Sequence, residues 1–124
     1  VAVEYILRTP LGATVSEMLE SADLVAPELL DAEVLSVLRG AVLRGRLAEA
    51  RARLAVDDLV HWPLERIPHR TLVSAAWQYH QNLSAYHALY VAAARTLNIP
   101  LLTTDGRLAR APGLGIAVQY VRVG

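Results

Sequence analysis

Three side chains in this sequence have the type and placement to act on a substrate: Glu33, His87 and Asp105. Asp105 closes the run Ile99-Pro100-Leu101-Leu102-Thr103-Thr104-Asp105, a short apolar stretch that reads as a buried strand ending in a carboxylate. Ligands of parallel α/β sheets gather outside the carboxyl ends of the strands, which is where this reading puts Asp105. The hydroxyls of Thr103 and Thr104 beside it can orient a carboxylate or hold a water. Position alone equally allows Asp105 to cap a helix that begins at Gly106. Glu33 falls about one turn into a helix that follows a strand over Asp23–Ala26. Carboxylates from two elements meeting at one sheet edge make a hard-cation site for Mg²⁺ or Mn²⁺, an ion that activates water and neutralises phosphate charge. The plain alternative for Glu33 is a solvated helix flank, and Asp31 on the other flank reads as surface. His87 stands at the third position of a helix capped by Ser84, where a ring nitrogen can serve a metal or a proton; a satisfied, partly buried histidine is its alternative. His61, His69 and His80 show no metal-ligand spacing with one another and read as surface or boundary residues.

The elements that must position these groups alternate between strand-like and helical patterns. Val3, Ile6 and Leu7 mark a helical face over residues 1 to 8, stopped by Thr9-Pro10, and a second short helix covers about Ala13 to Glu20 with Val15, Met18 and Leu19 inward. After strand Asp23–Ala26, Pro27 suits the first position of a helix running from Glu28 to about Arg44. Its apolar stripe is Leu30, Val34, Val37, Leu38 and Ala41, and Glu33 lies about 80° from the stripe centre. Gly45 breaks that helix; another spans about Arg46 to Asp58, followed by a short strand over Val60–Leu64 and a helix over about Thr71 to Gln81. Helix Ala85–Leu97, with His87, Tyr90, Val91 and Ala94 on one face, ends at Asn98. A short helix over Gly106–Arg110 and a last strand over about Ile116–Val121 finish the chain. Strands separated by helices predict a parallel sheet with helices on both faces.

Composition narrows the function classes. With 124 residues, 54% hydrophobic and 19% charged, the chain is the size of one domain and too apolar for a disordered tail. Twelve basic residues, all arginine, balance twelve acidic ones, so no net field draws the protein to a polyanion, and any such partner must meet a local patch. Arg39 and Arg107 are candidates for phosphate contact, with a solvated role as the alternative. The absence of cysteine excludes disulfides, thiolate zinc sites and a Cys nucleophile, and is compatible with a cytoplasmic location. No apolar run approaches the roughly 18 residues a membrane span needs.

Four ordered segments carry a resemblance: Ala26-Pro27-Glu28-Leu29-Leu30-Asp31-Ala32-Glu33-Val34-Leu35, Ile67-Pro68-His69-Arg70, Asn82-Leu83-Ser84-Ala85-Tyr86-His87-Ala88-Leu89-Tyr90-Val91-Ala92, and Leu101-Leu102-Thr103-Thr104-Asp105-Gly106-Arg107-Leu108. Together they resemble the PIN-domain ribonucleases, specifically the VapC toxins of bacterial VapBC toxin–antitoxin modules. The resemblance implies a three-layer α/β/α domain over residues 1–124 with a central parallel sheet. It further implies Mg²⁺- or Mn²⁺-dependent RNA cleavage by metal-activated water, a homodimer, and inhibition by a VapB-type antitoxin. Glu33 matches the family's second acidic position and Asp105 its last; the third, normally the Asp of a T-A-Y-D-A-L-Y pattern, is His87 here. The segment Val3-Glu4-Tyr5-Ile6-Leu7 resembles the helix after the family's first strand, so the domain is expected to begin past that strand and its aspartate. The metal set on this reading is Glu33, His87 and Asp105, and the alternative is a degenerate PIN domain that retains dimer and antitoxin binding but cuts weakly or not at all.

Overall fold

The computed structural model describes residues 24–103 and 105–120. The helices expected over residues 1 to 8 and about 13 to 20 lie outside them. The described residues form four strands and five α-helices, in the order β1 (Val25–Pro27), α1 (Leu29–Leu43), α2 (Glu49–His61), β2 (Glu65–Ile67), a 3₁₀ turn (His69–Thr71), α3 (Val73–Trp77), α4 (Ala85–Leu97), β3 (Leu101–Thr103), α5 (Gly106–Ala109) and β4 (Val118–Tyr120). The parallel α/β class expected from the sequence is present as two two-stranded sheets, β1–β2 and β3–β4. In the first, Glu65 N–H donates to Leu24 O and Glu28 N–H to Ile67 O, so later residues pair with later ones and the strands run parallel. In the second, Leu101, Leu102 and Thr103 stand opposite Val118, Gln119 and Tyr120. The chain forms two compact units, one holding Leu29–Glu65 and the other Ala26–Glu28 with the residues from Arg66 onward.

In the first unit α1 and α2 pack through Val34, Leu38, Ala55 and Leu59, with Leu30, Leu47, Val56 and Trp62 around them. Val37, expected inward, is 51% exposed, because its position three residues past Val34 puts it about 60° off the line that α2 covers. The helix closes at Gly45, whose φ of 72° admits the left-handed turn in which Arg46 N–H reaches Ala41 O and Gly45 N–H reaches Val42 O. That closure consumes Arg46, so α2 starts at Glu49, three residues later than expected. It also runs further, to His61, since Leu59 continues the buried spacing of Ala52 and Ala55. The expected strand over Val60–Leu64 is therefore not formed. Trp62 is turned out of the helix by Pro63, and the strand begins at Glu65. Pro27 likewise ends β1 instead of starting α1: the amides facing β2 alternate along the strand, Glu28 makes the bond, and Pro27 has no donor to lose.

In the second unit the core gathers on α4, where Val91, Ala92, Ala93 and Ala94 are all buried, together with Leu72, Ala76, Tyr79, Ala88, Leu101, Leu108 and Leu114. Three consecutive alanines let neighbouring elements approach on every side of that turn. Ser84 Oγ accepts from His87 N–H at 3.2 Å, as its N-cap position predicts. At the other end Asn98 adopts φ 54°, with Ile99 N–H on Ala94 O and Asn98 N–H on Arg95 O, so α4 has the expected limits. The helix expected over Thr71–Gln81 is only Val73–Trp77. Past it, Gln78, Tyr79 and His80 amides bond three residues back, and the His80 ring donates from Nδ1 to the Trp77 carbonyl at 2.8 Å. This tighter path accompanies the burial of Tyr79, whose hydroxyl donates to Leu114 O at 2.7 Å and accepts from Arg95 Nη1 at 3.3 Å. β3 is shorter than the apolar run because Pro100 offers no amide to the ladder.

Tyr79→Phe is expected to lower unfolding free energy by about 1–3 kcal/mol, since it leaves the Leu114 carbonyl buried without its donor. Urea denaturation followed by circular dichroism measures this.

Candidate functional site

His87 and Asp105 are brought together: His87 Nε2 lies 3.6 Å from Asp105 Oδ2, with both side chains partly exposed. Each is held by backbone features already legible in the sequence. His87 sits in the first turn of α4, its amide fixed by Ser84. Asp105 follows the C-terminal end of β3, where its own amide donates to Thr103 Oγ1 at 3.0 Å. Thr103 thus orients the carboxylate through the backbone; Thr104 lies outside the described residues.

The two carboxylate oxygens of Asp105 divide their work. Oδ1 accepts from the amides of Arg107 at 2.9 Å and Leu108 at 3.2 Å, capping α5 as the plainer reading proposed. Oδ2 faces His87. The Leu108 amide, aided by the Arg107 amide and by the neighbouring His87 and Arg107 side chains, outweighs partial burial and holds the carboxyl below the ordinary value. Asp105 is therefore an anion across the neutral range. Capping and ligation are compatible because they use different oxygens.

Glu33 stands on α1 in the other compact unit and is exposed, beside the buried Val34. Asp31, expected at the surface, is half-buried. The remaining histidines lie at the surface or its boundary, as expected: His61 bonds the Asp57 carbonyl, His80 the Trp77 carbonyl, and His69 stands by Glu28, whose Oε1 accepts the His69 amide at 3.0 Å. Among the described residues no three or more His, Cys, Asp or Glu side chains gather into a metal-binding group. The pair itself suits a divalent ion. Two ligands each about 2.1 Å from one ion can stand no more than about 4.2 Å apart, and an imidazole nitrogen with a carboxylate oxygen favours Mn²⁺ over Mg²⁺.

A feature not singled out in the sequence reading is the distribution of charge. Residues 66–124 hold six arginines and one carboxylate, Asp105, whereas residues 1–65 hold six arginines and eleven carboxylates. The zero net charge conceals this asymmetry, and a count by halves is the signal that exposes it. Among the described residues of the unit that carries His87 and Asp105, the exposed arginines are Arg70, Arg95, Arg107 and Arg110. No helix among the described residues is long and apolar enough to cross a membrane.

Comparison with known proteins adds kinship to this geometry. The family model of the PIN domain matches residues 1–114. Ribonuclease VapC1 of Mycobacterium tuberculosis is 49% identical over 98 residues, covering 78% of this chain and 74% of its own. Ribonuclease VapC12 of the same species is 33% identical over 120 residues, covering 97% and 93%. VapC ribonuclease Mb0985 of Mycobacterium bovis is 38% identical over 93 residues, covering 75% and 73%.

The two roles of Asp105 separate by substitution. Asp105→Ala is expected to cost about 0.5–2 kcal/mol through loss of the cap, whereas Asp105→Asn, which caps comparably, stays much closer to the parent. The advantage of the anion over Asn is fully present above the unfolded carboxyl's value of about 4 and is lost as pH falls through the lower folded value. Denaturation at stepped pH should therefore show the gap between parent and Asp105→Asn unchanged from neutrality to about pH 5 and closing below about pH 4.

Proposed function

The chain belongs to the PIN-domain family, and from that premise we propose that it is a VapC-type ribonuclease, the toxin of a toxin–antitoxin pair, using a divalent ion held by His87 and Asp105. The approach of His87 Nε2 to Asp105 Oδ2 at 3.6 Å, beyond the C-terminal end of β3, carries the reading. A bound Mn²⁺ or Mg²⁺ supplies charge neutralisation at a phosphodiester and acidifies a water. Asp105 provides the permanent negative charge of the site, its Oδ1 locked onto α5 so that Oδ2 keeps one direction. His87 provides a nitrogen where the family pattern has a carboxylate, which leaves the site one charge less negative and shifts its preference toward Mn²⁺. Arg107, exposed in the first turn of α5, is placed to meet a phosphate oxygen near that end of the strand. Glu33 is assigned as a further ligand on its place in the family's segment pattern. The VapC naming of its relatives supports a VapB-type antitoxin as partner, and the homodimer is proposed on the family resemblance alone.

A second reading is favoured by His87 itself: replacing an oxygen ligand by imidazole describes a domain that keeps the family's contacts with partners while cutting RNA weakly.

The purified protein, incubated with RNA and Mn²⁺ or Mg²⁺, is expected to cleave with Mn²⁺ ahead of Mg²⁺. Asp105→Asn and Glu33→Gln should each lower the rate about 100-fold or more, with the melting transition of Asp105→Asn nearly unchanged. Cleavage unaffected by Asp105→Asn overturns the site. A rise of about tenfold or more with Mg²⁺ in His87→Asp selects the second reading.

A further inference from the structure

Among the described residues, the two compact units differ in the kind of large apolar side chain they expose as well as in charge. Leu35, Val37, Leu43, Leu54 and Val60 are the exposed large hydrophobics described in the carboxylate-rich unit, all aliphatic. In the arginine-rich unit the exposed set includes two aromatics, Trp77 at 69% and Tyr86 at 62%. Leaving a tryptophan in water forgoes a large burial gain. Instead Trp77 is held where it is. The His80 ring lies flat against it, centroids 4.4 Å apart and planes 5° from parallel. His80 is in turn tied to the backbone by its Nδ1 donating to the Trp77 carbonyl. One ring is stacked and anchored at the surface of a unit with five described arginines against Glu28 and Asp105.

Basic surface with exposed, fixed aromatic rings is the combination that binds single-stranded nucleic acid: arginines track the phosphates and each aromatic face takes a base, whatever its identity. We propose that the Trp77–His80 stack is a base-stacking platform for a single-stranded RNA on the arginine-rich unit. It extends the proposed ribonuclease reading, from which it takes the choice of RNA, by assigning a binding position distinct from His87 and Asp105. Its contribution is sequence-tolerant and carries no charge, so it raises affinity without adding to the salt dependence that the arginines set. Double-stranded RNA, whose bases are already stacked, gains nothing from it.

The test is equilibrium binding of a short labelled single-stranded RNA of mixed sequence, at several salt concentrations, to the Asp105→Asn chain and to that chain carrying Trp77→Leu or Trp77→Phe. Trp77→Leu keeps apolar bulk and loses the ring; it should weaken binding roughly 5- to 100-fold with the slope against salt unchanged. Trp77→Phe should recover most of the loss. His80→Ala, which removes the supporting ring, should weaken binding in the same direction and serves if Trp77→Leu does not fold. Equal affinity in Trp77→Leu and its parent overturns the platform. So does a loss of affinity that appears only together with a smaller sedimenting species, which makes Trp77 a contact between copies. If the unsubstituted chain binds RNA through Trp77 and cuts none, the platform stands and the ribonuclease reading falls. If it cuts RNA with a KM that Trp77→Leu does not raise, the platform alone falls.

Discussion

The burial of four consecutive residues, Val91 to Ala94, fixes α4 in its unit, and most of what the described residues do follows from where the two ends of that helix lie. A helix buried on all sides over one turn can neither rotate nor slide without opening voids among Leu72, Ala76, Leu101 and Leu108. Its ends are then set by local chemistry: Ser84 caps the first turn and Asn98 closes the last in the left-handed conformation. His87 is consequently held in the first turn. At the opposite end the chain leaves through Ile99-Pro100 directly into β3, which returns Asp105 to the neighbourhood of His87.

Asp105 shows how one carboxylate can cap a helix with one oxygen and direct the other elsewhere. Its Oδ1 satisfies two orphan amides at the start of α5, and those same bonds keep the group ionised. Oδ2 is left directed toward an imidazole nitrogen. The structural and the functional reading of this residue are therefore not rivals. In the proposed metal site, His87 leaves less negative charge than a purely carboxylate arrangement would, a difference that would bear on metal preference more than on fold.

The arginine-rich half gives the pair an electrostatic setting that total charge conceals. The four exposed arginines described in the unit that carries the pair, against Glu28 and Asp105, make a surface suited to a polyanion, while the carboxylates over residues 1–65 restore neutrality to the chain. Electrostatic attraction at that surface is salt-dependent and sequence-blind. The anchored Trp77 ring offers the complementary, uncharged interaction.

By itself the sequence determined whatever is set by neighbours along the chain. The limits of α4, the left-handed stop at Gly45, the cap at Ser84 and the carboxylate after β3 were all legible, because capping groups, Gly and Pro act within a few residues. The PIN-domain resemblance was legible for the same reason, through four short segments in order, and residues 1–114 match that family. Only the tertiary structure decided the rest. Whether Leu59 and Val60 continue a helix or begin a strand depends on what Ala55 and Leu59 pack against. The shortening of α3 accompanies a hydrogen bond from Tyr79 to Leu114, thirty-five residues away. The side chains of His87 and Asp105 meet across two elements, at a distance no spacing along the chain encodes, because it is set by how α4 and β3 pack around the same buried turn.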